Sequence, residues 1–169
     1  MRKTLARLLT AAAVLALAFG CAPVQEETHN GLKLWFPTDP ALGKLSFALD
    51  TCPYGGEDQS IPGLLFALLS GPPEDELNMI PIIPEGTRLL SWSLENRVAN
   101  VELSASYAEL VGVELTLADY CVTLTLAQLD SVDAVRITVN GGGQSYRDRH
   151  PLYPEDVLFS GAEEVPVEI

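Results

Sequence analysis

The chain has 169 residues, of which 23 are Asp or Glu and 10 are Lys or Arg, and its net charge is −13 at pH 7. So acidic a surface is repelled by nucleic acid and by anionic lipid headgroups, which excludes nucleic acid as an expected partner. A basic patch of another protein or a cation is the more natural partner, although solubility outside the cell explains the same charge. The length fits one domain with short tethers.

The first 20 residues are typical of an export signal. Arg2, Lys3 and Arg7 form a basic start, and an apolar run follows over residues 8–19. This run is shorter than the roughly 20 residues that span a bilayer, so it predicts a signal peptide over residues 1–20 and not a transmembrane helix. Without those three basic residues, the charge of −13 becomes −16.

Gly20 and Cys21 resemble a bacterial lipobox, the motif whose cysteine receives a diacylglycerol group. The motif predicts that Cys21 becomes a lipidated N-terminus, anchored to the cell membrane on its extracytoplasmic face. Ordinary signal-peptidase cleavage and an uncleaved anchor are the alternatives. By composition, residues 21–30 form a polar tether, 31–160 a single domain, and 161–169 a flexible tail.

Cys52 and Cys121 are the other cysteines of the chain. In an exported protein such a pair suggests a disulfide, but one cysteine is predicted in a loop and the other in a helix, which leaves their separation open. Buried cysteines also pack as small apolar residues. Two cysteines without a CxxC pair do not make a zinc site.

Two strands and a helix are predicted in the first part of the domain. Residues 31–37 and 44–49 carry apolar side chains at every second position, as strands do, and Cys52 falls in the loop that follows. An amphipathic helix then begins at Ser60 as its N-cap and ends at Gly71. Its apolar stripe consists of Ile61, Leu64, Leu65, Leu68 and Leu69.

Residues 84–104 predict a β-hairpin with Asn96 and Arg97 as its two-residue turn. Around that turn apolar residues face apolar residues, which assigns one face of the hairpin to the core. The predicted core pairs are Leu94 with Ala99, Trp92 with Val101, and Leu90 with Leu103. A type I′ turn needs φ > 0 at both central residues, which costs Arg97 roughly 1 kcal/mol. A basic tip on an acidic protein makes Asn96 and Arg97 a candidate partner contact.

The last part of the domain predicts a second helix and a strand. Residues 107–129 indicate a short turn and then a helix, and residues 133–140 indicate a strand, followed by a short segment at the sheet edge. The inward stripe of the helix is predicted to be Ala118, Cys121, Val122, Thr125 and Leu129. The order β-β-α-β-β-α-β predicts an α+β fold, a two-layer sandwich of a largely antiparallel sheet with two helices on one face.

Residues for catalysis are scarce. The histidines are His29, in the tether, and His150, and neither stands beside an evident nucleophile. The acidic run 74–76 lies beside prolines and predicts a solvated turn, not a metal site. We therefore expect no catalytic residue, no metal and no cofactor.

Three segments resemble, in order, the GerMN domain of sporulation and spore-germination proteins. They are ALLSGPPEDEL, IPEGTRLLSWSLENRVANVELS and LTLAQLDSVDAVRITVNG, within a resemblance that covers most of residues 32–153. Two turns depart from the family pattern, because Asn96–Arg97 replaces an Asp/Asn-Gly tip and Asp130–Ser131 replaces a Pro-Gly turn.

The resemblance implies an α+β module with no known enzymatic activity. It implies an extracytoplasmic interaction or assembly domain with a protein partner in the envelope or the sporulation apparatus. The alternative is an envelope lipoprotein that binds peptidoglycan or a small ligand, for which Trp35 and Trp92 offer aromatic surfaces.

Overall fold

The computed structural model describes residues 31–39, 48–141 and 150–158. These residues form two β-sheets and two α-helices in the predicted order. The elements are β1 (Lys33–Pro37), β2 (Leu49–Pro53), α1 (Ile61–Leu69), β3 (Leu89–Glu95), β4 (Val98–Leu103), α2 (Gly112–Leu126) and β5 (Ala134–Val139). The α+β prediction is confirmed, with the strands divided between two sheets.

Several predictions fall outside the described residues. They concern the signal peptide, the lipidation of Cys21, the tether over residues 21–30, residues 44–47 of the second predicted strand, and the tail from residue 161. Within the part that the structure describes, no helix has the length and apolar character needed to cross a membrane.

Strands β1 and β2 form a two-stranded antiparallel sheet in which Pro37 lies opposite Leu49 and Lys33 opposite Pro53. The second strand was predicted to end at residue 49. This end is wrong, because β2 runs from Leu49 to Pro53. Cys52 therefore lies in a strand and not in a loop. Cys52 lies opposite Leu34, and both side chains are buried. The buried face of the sheet therefore continues beyond Leu49, where the apolar alternation of the sequence ends.

Helix α1 begins and ends where its sequence signals predict. The Ser60 hydroxyl accepts a hydrogen bond from the Gly63 N–H at 3.3 Å, and Gly71 adopts a φ of +89° just after the helix. The predicted stripe faces the core, with Leu69 half-buried and the others buried, namely Ile61, Leu64, Leu65 and Leu68.

Helix α2 is buried around most of its circumference. It packs against β1, α1 and β5, so the prediction of a single inward stripe is too narrow. The buried residues are Leu115, Leu117, Ala118, Asp119, Tyr120, Cys121, Val122, Thr123, Thr125 and Leu126, whereas Leu129 lies beyond the helix and is half-buried. The polar members of this set need partners inside the protein.

Two polar side chains of the α2 region bind the outer edge of strand β1. The Gln128 amide accepts from the Lys33 N–H at 2.9 Å and donates to the Lys33 carbonyl at 2.7 Å. The Thr125 hydroxyl accepts from the Trp35 N–H at 3.2 Å. Beyond them, Ile80 N–H donates to the Pro37 carbonyl at 3.0 Å. These backbone groups of the edge are therefore bonded without a further strand.

The second sheet has the order β3-β4-β5, with β4 antiparallel to β3 and parallel to β5. On the outer side of β5, Val135 and Leu152 exchange backbone hydrogen bonds of 3.0 and 2.8 Å. The predicted short final segment at the sheet edge is thus confirmed.

A buried polar contact joins α2 to the turn after β4. The Tyr107 hydroxyl donates to an Asp119 carboxylate oxygen at 2.5 Å, and both residues are almost fully inaccessible to solvent. The contact lies in a second apolar cluster with Leu103, Leu110 and Leu115. It fixes the connection between β4 and α2.

Two threonines of α2 make a matched pair for testing the role of its polar side chains. Thr125→Val should lower the free energy of unfolding by about 1–3 kcal/mol, because it strands the Trp35 N–H. Thr123→Val should leave it within about 0.5 kcal/mol or raise it, because the Thr123 hydroxyl is buried with no partner among the described residues. Urea unfolding followed by circular dichroism measures both, and equal losses would contradict the edge role.

Candidate interaction surface

The β3–β4 hairpin has the predicted turn. Asn96 and Arg97 adopt φ values of 50° and 65°, as both central residues of a type I′ turn must. Leu94 lies opposite Ala99 and Trp92 opposite Val101, which confirms the register next to the turn. The third predicted pair is wrong, because a bulge at Leu90 places Leu89 opposite Leu103.

The two strands of the hairpin differ in burial. On β4 the predicted core residues Ala99, Val101 and Leu103 are almost inaccessible to solvent. On β3 the prediction is wrong, since the exposed fractions are 54% for Leu90, 46% for Trp92 and 40% for Leu94. The reason is position in the sheet: β3 is the marginal strand, and α2 covers the sheet mainly at β5.

The outer edge of β3 has no strand beside it in the part of the chain that the structure describes. In a hairpin closed by the Glu95–Val98 pair, alternate residues turn their backbone groups outward, and these are Trp92 and Leu94. The strand contains neither lysine nor proline, which proteins use to block edge pairing. We call this edge and its exposed Leu90, Trp92 and Leu94 the β3 edge.

A shallow apolar groove lies next to the start of β3. It has a volume of about 440 Å³ and is lined by Pro62, Phe66, Leu69 and Ser70 of the α1 region and by residues 87–89. The Phe66 side chain is 77% exposed. The groove and the β3 edge together form an exposed apolar surface beside unpaired backbone groups, which is the arrangement that accepts an added strand.

The hairpin tip is held by a contact within the domain. The Arg97 guanidinium donates to both carboxylate oxygens of Asp133, at 2.5 and 2.7 Å, and the Asp133 N–H donates to the Arg97 carbonyl at 2.8 Å. These bonds lower the pKa of Asp133 and raise the pKa of Arg97. Arg97 thus ties the tip to the start of β5, and a partner contact at Asn96 and Arg97 stays a prediction.

The other face of the three-stranded sheet carries polar side chains that bond one another. The Asn100 amide donates to the Ser93 hydroxyl at 3.3 Å and accepts from Arg136 at 3.0 Å. The Glu102 carboxylate accepts hydrogen bonds from the Thr138 hydroxyl and the Gly141 N–H. The predicted wet face of the hairpin is confirmed, and its groups are largely used within the sheet.

The remaining candidate residues bring no catalytic group together. His150 is exposed, and His29 lies outside the described residues. No cluster of three His, Cys, Asp or Glu side chains suited to a metal ion occurs among residues 31–39, 48–141 and 150–158. Cys52 and Cys121 are both buried with free thiols, and burial raises the pKa of each thiol. The structure therefore places them as packing residues with no bond between them.

Comparison with known proteins identifies similar folds and a family. The family model Germane, described as sporulation and spore germination, matches residues 43–144. The tandem GerMN domains of the sporulation protein GerM from Bacillus subtilis are 16% identical with a TM-score of 0.58, over 78% of this chain and 46% of that chain. This chain thus spans less than half of the tandem structure.

Two single-domain structures are covered more fully. The first GerMN domain of the same Bacillus subtilis protein is 17% identical with a TM-score of 0.55, over 76% of this chain and 96% of that chain. A predicted lipoprotein from Clostridium perfringens is 21% identical with a TM-score of 0.51, over 74% of this chain and 87% of that chain. None of the curated proteins matches this chain. At these identities the likeness shows the fold.

The Arg97–Asp133 contact should make stability depend on pH in the acid range. The folded-state pKa of Asp133 lies below its unfolded value, so its stabilising contribution is complete above the unfolded pKa and is lost as pH falls through the folded pKa. Asp133→Asn should therefore lower stability at neutral pH, and the difference from the parent should shrink below about pH 4. Unfolding titrations between neutral and acid pH measure this.

The control for that experiment is Asp130→Asn, which removes a nearby carboxylate without removing a hydrogen bond to Arg97. If the difference in free energy of unfolding between Asp133→Asn and the parent stays constant down to acid pH, the Arg97–Asp133 contact does not make stability depend on pH.

Proposed function

Since the chain belongs to the Germane family of sporulation and spore germination proteins, we propose that it is a membrane-tethered, extracytoplasmic interaction module of the sporulation or germination apparatus. The module binds another protein and carries out no catalysis. The observation that carries this proposal is the β3 edge, where Leu90, Trp92 and Leu94 are exposed beside an unpaired strand. Such an edge offers backbone hydrogen bonds for affinity and side chains for specificity.

The acidic character of the chain supports an external protein partner. A net charge of −13 discourages binding to nucleic acid and favours partners with basic surfaces. The tethering proposal rests on the signal-like first 20 residues and on Cys21, and the similar fold of the Clostridium perfringens lipoprotein is consistent with it. The tether places the domain close to the membrane on the outer side.

A second candidate function is binding of peptidoglycan or a small envelope ligand. A shallow depression of about 150 Å³ on the polar sheet face is lined by Ser91, Ser93, Asn100, Glu102 and Thr138, together with Trp92. Hydroxyl and amide groups at such a depression can hydrogen-bond the hydroxyl groups of a sugar. Retention of the purified protein on isolated peptidoglycan would favour this candidate, and the interaction module predicts no retention.

Lipid anchoring is tested at Cys21. We expect Cys21→Ala to abolish incorporation of a labelled fatty acid and to release the protein from the membrane fraction, because the thiol is the site of lipid attachment. The control is a Cys52→Ala variant, whose thiol is buried inside the domain and should not affect labelling. Unchanged labelling of Cys21→Ala would contradict the anchor.

The interaction role is tested at Trp92. In a strain that lacks the native chain, a Trp92→Lys variant should restore spore formation and germination no better than an empty vector, because a charged ammonium group is costly to bury in an apolar strand interface. The matched control is Leu77→Lys, since Leu77 is 82% exposed and lies outside β3, in the loop whose Met79 bridges Thr38. Normal sporulation and germination of the deletion strain would contradict the proposed function.

A further inference from the structure

The exposed part of β3 has the same sequence in both directions. Residues 90–94 read Leu-Ser-Trp-Ser-Leu, a palindrome centred on Trp92. We propose that the occupant of the β3 edge is a second copy of this chain, paired antiparallel to the first about a two-fold axis through Trp92. This inference rests on the proposed function, because it identifies the protein that binds the β3 edge.

Two-fold symmetry requires a self-complementary surface, because residue i of one copy meets residue j of the other and residue j meets residue i. With the axis at Trp92, Trp92 meets Trp92 of the second copy, and Leu90 meets Leu94 of the second copy. Ser91 meets Ser93 of the second copy on the opposite face. Apolar side chains therefore meet apolar ones, and hydroxyls meet hydroxyls, with the bulge at Leu90 at the margin of the paired segment.

The backbone of β3 fits this register. Trp92 turns its N–H and C=O outward, so a central Trp92–Trp92 pair exchanges two hydrogen bonds across the axis. A shift by one residue would bring inward-facing and outward-facing positions together and would place the serines against the apolar side chains. The register centred on Trp92 pairs all five residues of the palindrome, whereas a shift by two residues would keep the faces sorted but would pair fewer of them.

In the described residues, contacts occupy parts of the other sheet edges, in contrast to the edge of β3. The α2 region binds the edge of β1 through Gln128, and Leu152 occupies the edge of β5. On β2, the Thr51 N–H is bound by the Asp50 carboxylate at 2.8 Å, and Pro53 has no N–H. On β3, by contrast, no such contact is described for the outward backbone groups of Trp92 and Leu94, so this edge can accept a strand.

The charges at the two ends of β3 are opposite in sign. Exposed Arg88 precedes the strand, and exposed Glu95 ends it. Antiparallel pairing brings the Arg88 end of each copy beside the Glu95 end of the other, which gives two favourable contacts per dimer. These contacts oppose the general repulsion between two chains of charge −13.

The association is tested on the full chain in mild detergent, by measuring its mass over a range of protein concentrations. We expect a dimer that dissociates on dilution, and a monomer for Trp92→Lys at every concentration. Leu77→Lys should remain dimeric, because Leu77 is exposed but lies outside β3. Circular dichroism establishes that each variant is folded. We expect Trp92→Lys to fold, because Trp92 is partly exposed in the parent.

The charge contribution is tested by reversal and rescue. Arg88→Glu should weaken the dimer, because it places two carboxylates at each end of the paired strands. The double variant with Arg88→Glu and Glu95→Arg should restore dimerisation, because each end again joins opposite charges. Failure of the double variant to recover would count against this register.

The register is tested by disulfide formation between two differently tagged copies in one cell. Ser91→Cys in one copy and Ser93→Cys in the other should crosslink, because directly opposed residues of a non-hydrogen-bonded pair have Cα atoms about 4.5 Å apart. Ser91→Cys alone should not crosslink, because its two cysteines lie diagonally at roughly 7–8 Å. The parent chain is the control for its own cysteines.

Three results would overturn the inference: a monomeric parent chain, a dimer that Trp92→Lys leaves intact, and crosslinking that ignores the register. Failure of this inference can be distinguished from failure of the proposed function, because the mass and crosslinking measurements do not require sporulating cells. A monomeric Trp92→Lys variant in a strain that sporulates and germinates normally would refute the role of the surface and leave the pairing intact. A monomeric parent that captures a different protein through Trp92 would refute the pairing and leave the role intact.

Discussion

The arrangement of the domain depends on helix α2, which is buried nearly all round and must also hydrogen-bond the edge of β1. Gln128 and Thr125 bind backbone groups of Lys33 and Trp35, so the helix takes the place of a missing strand beside the first sheet. Its other sides pack on α1 and β5. Helix α1 packs against β3 but leaves Leu90, Trp92 and Leu94 exposed at the far margin of the second sheet.

Local sequence signals predicted the elements that local chemistry determines. Ser60 and Gly71 mark the ends of α1, and Asn96–Arg97 sets the register of the hairpin, because caps and turns involve residues close in the chain. The boundary of β2 and the wide burial of α2 were not predicted. Both depend on residues far away in sequence, such as Leu34 opposite Cys52, for which periodicity carries no information.

The burial of the candidate surface also depends on residues far away in sequence. Face sorting correctly grouped Trp92 and Leu94 with the buried residues of β4, but sharing a face does not specify whether another layer covers that face. The marginal position of β3 became evident only when the sheet order was known. The sequence likewise predicted Arg97 as a partner contact. Its hydrogen bond to Asp133 joins residues 36 positions apart, on either side of α2, and became evident only from the fold.

The parallel pairing of β4 with β5 has a consequence for the route of folding. Paired residues such as Asn100 and Arg136 are 36 positions apart, and closing such a long segment is slow compared with closing a hairpin. The β3–β4 hairpin can therefore form while the rest of the chain is still unfolded. In that interval both faces of the hairpin are uncovered, and meeting another chain competes with completing the domain. The rate of such encounters, relative to the rate at which the α2 crossover closes, then determines how much protein reaches the native state.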